Sequence, residues 1–301
     1  EVFPKLTGEK PVFFFVIDNL RLDQWELLEP IIGEYFNIES KNPAFAILPT
    51  TTAYARNAIF SGMMPSDMEK YHSDLWVGEI EDEGKNNFEE EFLARQLKKN
   101  NLDIKFSYHK IVHKNQGKQL LTNFNNLFNN DLNAIVYNFV DMLSHARTDM
   151  KMIRELAPDE SAYRSLTNSW FMHSTLFEAL KILSQKDVHV VITTDHGTIR
   201  VKRPVKIVGD KNTNTNLRFK VGKNLNFKKG DNVFVSRNPE GLFLPKVNVS
   251  SSYVFATNDD FFAYPNNYNY YVNYYKDTFQ HGGISLEEMI LPVVHLQPKN
   301  S

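Results

Sequence analysis

The chain has 301 residues, 42% of them hydrophobic, which is ample for a sizeable buried core. Its 34 Lys and Arg balance 36 Asp and Glu with no long run of one sign, so it lacks the charge pattern of a duplex nucleic acid binder. With no cysteine it has no disulfide, thiolate metal site or cysteine nucleophile, and its longest apolar run, PVFFFVI, is far too short to span a bilayer.

The first predicted element is a strand, VFFFVID, apolar throughout as expected of a central parallel strand covered on both faces, and it closes on Asp18. AFAILP reads as a further strand. The run Thr50, Thr51, Thr52 then precedes a helical stretch, which puts a threonine hydroxyl at a helix N-terminus. Such a threonine serves as an N-cap or as a nucleophile, and the residues by themselves do not choose among the three. EEEFLARQLKKN has helical periodicity. A second apolar strand, AIVYNFVD, closes on Asp141, with His145 four residues further on, adjacent to it if the chain enters a helical turn. ESAYRSLTNSWFMHSTLFEALKILSQ again repeats its apolar residues at helical spacing, and a third strand, HVVITTDH, ends in Asp195 and His196.

From about Arg200 to Gln280 the texture changes to Asn, Lys, Gly and Tyr, with short strand candidates NVFVS, GLFLP and SYVFAT. The closing segment HGGISLEEMILPVVHLQP returns to a helix-then-strand pattern, with His281 just before the helix. Strands alternating with helices imply an α/β fold with a mostly parallel central sheet. The expected organisation is one domain over 1–301 with a β-rich insertion or cap at about 200–280. A start at EVFPKL without a Met suggests a fragment whose N-terminal neighbour has been removed, and the chain is read as cytoplasmic.

In open α/β sheets ligands bind beyond the carboxyl ends of the strands, so Asp18, Asp141 and the Asp195–His196 pair are expected to converge. Each has an ordinary explanation taken singly: Asp18 as a helix cap, His145 as a loop histidine, His281 as a polar residue before a Gly-Gly turn. Together they offer oxygen and imidazole donors without sulfur, a set that suits Zn²⁺ best, with Mn²⁺ as competitor. Arg56 is the candidate for neutralising substrate oxygens, ahead of Arg21. Lys202, Arg203 and Lys206 are read as solvated surface. The stretch FFAYPNNYNYYVNYY is either a surface for base stacking or an aromatic strand pair packed on the core. The remaining six histidines, His113 and His173 among them, are assigned core or surface roles.

The ordered set VIDNLR, LPTTTAYARNAIFSG, DMLSH, TTDHG and HGG resembles the alkaline phosphatase superfamily of dinuclear metal phosphohydrolases, and VIDNLRLDQWE is similar to the opening of PglZ domains, notably those of PorX-like response regulators. That resemblance implies a three-layer sandwich of alkaline phosphatase type. It implies two Zn²⁺ ions, one on Asp18, Thr52, Asp195 and His196 and the other on Asp141, His145 and His281, with Thr52 as nucleophile. Phosphodiesterase relatives continue from the nucleophile with Phe-Pro-Asn, whereas this chain has Ala53, Tyr54 and Ala55, so Arg56 or Asn57 is expected to replace the phosphate-contacting Asn. The implied activity is hydrolysis of a nucleotide-type phosphodiester, a cyclic or linear oligonucleotide among the options. The implied setting is a two-component system tied to type IX secretion, with a sensor kinase acting through a missing receiver domain and a homodimer as assembly. The alternative is a regulatory metal-binding module that binds protein or nucleotide without turnover.

Overall fold

In the computed structural model, which describes residues 1–78, 84–210, 213–246, 248 and 250–299, the chain runs through β1 (Val12–Ile17), α1 (Leu22–Ile32), β2 (Phe36–Phe45), α2 (Thr52–Ser61), α3 (Pro65–Tyr71), α4 (Glu89–Lys99) and β3 (Phe106–Ile111). It continues through α5 (Lys114–Thr122), β4 (Leu132–Tyr137), α6 (Phe139–Asp149), α7 (Lys151–Leu156), α8 (Glu160–Met172), α9 (Thr175–Leu183) and β5 (His189–Thr193) to shorter strands and a closing strand, Ile290–Pro298. These elements fall into two compact units. The first comprises Glu1–Phe45, Leu102–Gly197 and Ile290–Ser301, the second Ala46–Asn101 and Thr198–Met289. The stretch expected as a cap at 200–280 therefore shares its unit with α2 to α4.

The first unit is built on a six-stranded sheet in the order β2, closing strand, β5, β1, β4, β3. β1 pairs in parallel with β4 and β5, and β3 in parallel with β4, while the closing strand runs antiparallel to β5 and β2. All six residues of β1 and all six of β4 are buried, which is why both read as unbroken apolar runs. Phe13, Phe15 and Ile17 of β1 pack with Trp25 and Leu28 of α1 and with Leu176, Leu180 and Leu183 of α9, the apolar stripes of two amphipathic helices. Pro43 lies on β2, at the sheet edge where its missing N–H costs no inner ladder bond. The mixed α/β fold with a mostly parallel central sheet thus matches the expectation.

The second unit holds a three-stranded antiparallel sheet in the order Val233–Ser236, Ser252–Ala256, Phe219–Gly222. A second small sheet pairs Asp260–Ala263 in parallel with Arg203–Val208, which in turn pairs antiparallel with Asn226–Phe227. Tyr54 of α2 is buried against Phe219, Tyr253, Phe255 and Leu244, so this helix is fastened to the antiparallel sheet by aromatic packing.

Five local expectations are corrected. The strand expected to close on Asp141 ends at Tyr137, where its register partner Ile17 ends β1; Asn138 is the N-cap of α6, so Asp141 sits in a helical first turn. The long helix expected at 160–185 breaks in two, because the Ser174 hydroxyl accepts from the Phe177 N–H and starts a new helix there. Of AFAILP only Ala44 and Phe45 are extended, and GLFLP carries a 3₁₀ turn over Pro239–Leu242 in place of a strand. The Tyr-rich stretch is not a strand pair: after Asp260–Ala263 it forms a helix, Tyr268–Tyr275, with Tyr270 stacked over Tyr274 and Tyr271 over Tyr275 at i, i+4 spacing. No described helix is long and apolar enough to cross a membrane.

Candidate metal centre and active site

Three of the sequence-derived ligands meet at the strand ends of the first unit. Asp18 follows β1, and Asp195 and His196 follow β5, the parallel neighbour of β1. All three are at least 99% buried, and one donor atom from each lies within 4.8 Å of the others. His196 Nε2 stands 3.8 Å from Asp18 Oδ1 and 3.9 Å from Asp195 Oδ2. His196 Nδ1 lies 3.0 Å from the Gly197 carbonyl oxygen, which only accepts, so the ring proton resides on Nδ1 and the basic lone pair of Nε2 turns toward the carboxylates.

That arrangement is the tautomer a metal-ligating histidine needs, with a carbonyl fixing the ring from behind. Two carboxylates and an imidazole lone pair gathered out of water are stabilised by a shared cation. The donor set therefore fits a divalent metal. A further sign is Asn19 Oδ1, buried and without a hydrogen-bond partner among the described residues.

Asn19 was not singled out from the sequence, yet it organises this part of the unit. Fully buried, with φ of 64°, it occupies the left-handed region that Asn tolerates better than most residues. Its backbone N–H donates to Asp195 Oδ1 at 3.2 Å, and its Nδ2 donates to Asp141 Oδ1 and to Ser144 Oγ, each at 3.3 Å. One residue, next to Asp18 in the chain, thus links two carboxylates that lie 122 and 176 positions away from it. Thr194 adds a second brace, accepting from the Leu20 N–H at 3.0 Å and donating to the His196 carbonyl at 2.9 Å.

Asp141 and His145 lie four residues apart on α6, with His145 Nε2 3.5 Å from Asp141 Oδ2. The helix, not the strand end, supplies this pair. Arg21 is a buried fork onto Asp23 and Glu160 at 2.7 Å each. Burial alone would lower its pKa; the two carboxylates more than offset that and raise it.

In the second unit the three threonines separate by role. Thr50 is fully buried, donates to the Gly283 carbonyl at 2.9 Å and accepts from the Gly282 N–H at 3.0 Å, so its hydroxyl is committed to structure. Thr51 is the N-cap of α2. Thr52 is the first helical residue and lines a cavity of about 300 Å³ together with Lys85, Asn86, Asn216 and His281. A hydroxyl at a helix N-terminus sits at the positive end of the dipole, where a developing oxyanion is favoured.

His281 Nδ1 is 3.3 Å from the Thr50 carbonyl, which again places the proton on Nδ1 and leaves Nε2 as the basic nitrogen. Gly282 takes φ of 120°, and a Cβ on Gly283 would lie 2.5 Å from the Ala256 carbonyl oxygen, so both glycines of HGG are dictated by backbone and crowding. Glu288, fully buried, receives the Gly283 N–H, the Ser285 hydroxyl and a two-pronged contact from the fully buried Arg218.

Arg56 is buried to 1% exposure, and its Nε donates to Glu89, equally buried, on α4. This contact braces α2 against α4. Asn57 donates to the Ala53 and Lys85 carbonyls, and Asn86 donates to the Thr52 carbonyl at 3.0 Å, so Asn86 rather than Asn57 flanks the cavity. Arg203 is held by Asp259 and Asp260, both at 2.8 Å.

The profile of the BREX system PglZ alkaline phosphatase-like domain matches residues 1–296. Among solved structures, murine ectonucleotide pyrophosphatase/phosphodiesterase 5 is similar at 12% identity with a TM-score of 0.59, covering 95% of this chain and 88% of that one. Its human counterpart shows 11% identity and a TM-score of 0.60 over the same shares. An inactive threonine-to-alanine form of the murine protein in complex with AMP shows 13% identity and a TM-score of 0.57. At these identities the likeness is one of fold. No curated protein matches the chain.

Proposed function

We propose that this chain, which belongs to the PglZ family of alkaline phosphatase-like domains, is a metal-dependent phosphodiesterase acting on a nucleotide-type diester with Thr52 as nucleophile. The observation that carries the reading is the buried convergence of Asp18, Asp195 and the Nε2 face of His196. The proposed ligand sets are Asp18, Thr52, Asp195 and His196 for one ion and Asp141, His145 and His281 for the other, with Zn²⁺ favoured by mixed O/N donors. When bound, such ions supply Lewis-acid charge to phosphoryl oxygens.

The chain's own residues account for the rest. Thr52 Oγ1 forms a bond to phosphorus while the bond from phosphorus to the leaving ester oxygen breaks, and that oxygen departs with a proton. Water then attacks the phosphothreonine, regenerating the Thr52 hydroxyl and releasing a monoester. Asn86 holds the first turn of α2 through the Thr52 carbonyl, and Arg56 acts as a positioning residue through Glu89. The fold's likeness to a phosphodiesterase whose threonine-to-alanine form is inactive supports the nucleophile assignment. A sensor kinase, a receiver domain and a homodimer remain part of the proposal by family resemblance.

Thr52→Val preserves shape and removes the hydroxyl. Hydrolysis of a dinucleotide at saturating Zn²⁺ should fall by about three orders of magnitude or more while the fold persists and metal content falls only modestly. Equal rates for the two proteins would reject Thr52, and turnover by neither would favour a regulatory module.

A further inference from the structure

A second cavity, of about 390 Å³, lies wholly in the first unit at the carboxyl ends of β3 and β4. Its lining includes the half-buried Phe139–Trp170 pair, rings parallel to within 1° and 4.4 Å apart, and the exposed Met142. Around the rim stand the exposed side chains of His113, Lys114 and His173. The sequence assigns both histidines only a core or surface role.

The position of this cavity follows from the sheet register. Ile17 of β1, Tyr137 of β4 and Ile111 of β3 stand side by side in one row, and the residues just beyond that row are Asp18, Asn138 with Phe139, and Val112 with His113. The cavity is therefore the next station along the line of strand ends that begins with Asp195 and Asp18. At about 5 Å between neighbouring strands, β3 is roughly 10 Å from β1. A span of that size is the reach from a phosphate across a ribose to its base. Phe139 is also two residues from Asp141 on α6, whose carboxylate Asn19 ties to Asp195.

We propose that this cavity binds the nucleoside moiety of the substrate, its base stacking on the Phe139–Trp170 pair and its heteroatoms meeting His113, His173 and Lys114. A partly buried aromatic platform with a rim of donors and no carboxylate among its described lining residues suits a planar heteroaromatic ring attached to an anion. The placement of the phosphate rests on the phosphodiesterase reading; the binding of the ring does not.

The test separates the two. Adenosine, which has the ring and no phosphate, is titrated into the full chain and followed by tryptophan emission and calorimetry. Of the three tryptophans, Trp25 is fully buried in the core, and Trp170 lines the cavity. Adenosine should quench emission in the wild type. Trp170→Phe should retain binding and lose most of the quench, whereas Trp170→Ala should weaken adenosine about tenfold or more. His173→Ala, at an exposed position, should weaken it without touching the fold. Ribose 5-phosphate should bind wild type and Trp170→Ala alike. Adenosine binding with no diester turnover would uphold the cavity and sink the enzyme reading. Diester turnover with adenosine affinity unchanged by Trp170→Ala and His173→Ala, or no adenosine binding at millimolar concentration, would overturn the cavity.

Discussion

Asp18 and Asp195 are recognisable in the sequence because a carboxylate ending an unbroken apolar strand is conspicuous. Asn19 beside Asp18 is not, since its role comes from contacts to residues 122, 125 and 176 positions away. Asn19→Gly keeps the left-handed backbone accessible and deletes the carboxamide, so it removes the links to Asp141 and Ser144 and keeps the N–H to Asp195. Zn²⁺ affinity should drop about 10- to 100-fold, the usual effect of removing a group that orients a ligand, with far-UV circular dichroism unchanged. A Zn²⁺ titration with unaltered affinity would deny Asn19 this role. Thr50 and Thr52 make the complementary case. Identical side chains two positions apart are indistinguishable in the sequence, and only the Gly282 and Gly283 backbone tells that Thr50 is structural. Thr50→Val should cost about 1–3 kcal/mol in a urea melt through the unsatisfied Gly282 N–H, and leave the chemistry of Thr52 intact.

The HGG segment illustrates what an element contributes. His281 is presented by a turn whose second glycine is crowded by the Ala256 carbonyl and the Arg218 guanidinium, and whose N–H is anchored on Glu288. Gly283→Ala should therefore destabilise the chain by about 1–3 kcal/mol, read as a shift of denaturation midpoint. Glu288→Gln leaves the Arg218 charge buried with a neutral partner and should cost about 3–5 kcal/mol, more than the glycine change. A smaller loss for Glu288→Gln than for Gly283→Ala would mean that the turn, not the ion pair, holds this segment. At α6 the lesson is different. The reading of Asp141 as a strand end missed a helix start because Phe139 and Val140 resume the apolar run after Asn138, and only the ends of β1 at Ile17 and β3 at Ile111 stop the pairing.

Across the whole molecule, buried charge and buried imidazole set the response to metal and pH. Chelation should lower the melting temperature, since the Asp18 and Asp195 carboxylates then share a dry site; Zn²⁺ should restore it, with about 2.7 kcal/mol at 100 times the dissociation constant. Burial lowers the pKa of His72, His109 and His189 below the usual 6.5. Unfolding then takes up protons, so their stabilising contribution is present above pH 6.5 and is lost as pH falls through 6.5 toward the depressed values. His109→Gln should flatten that acid limb in thermal melts from pH 7 to 5, and an unchanged slope would remove His109 from the account.

The sequence by itself determined the α/β class, the central strands and the Asp18, Asp195 and His196 trio, because strand burial and strand-end chemistry are written in runs of adjacent residues. It did not determine the break between α8 and α9, the helical Tyr-rich segment, the bracing of Arg56 by Glu89 or the part played by Asn19. Only the tertiary structure decided these, because each depends on which distant backbone or charge a side chain meets once the sheet has fixed its neighbours, and local pattern carries no record of that meeting.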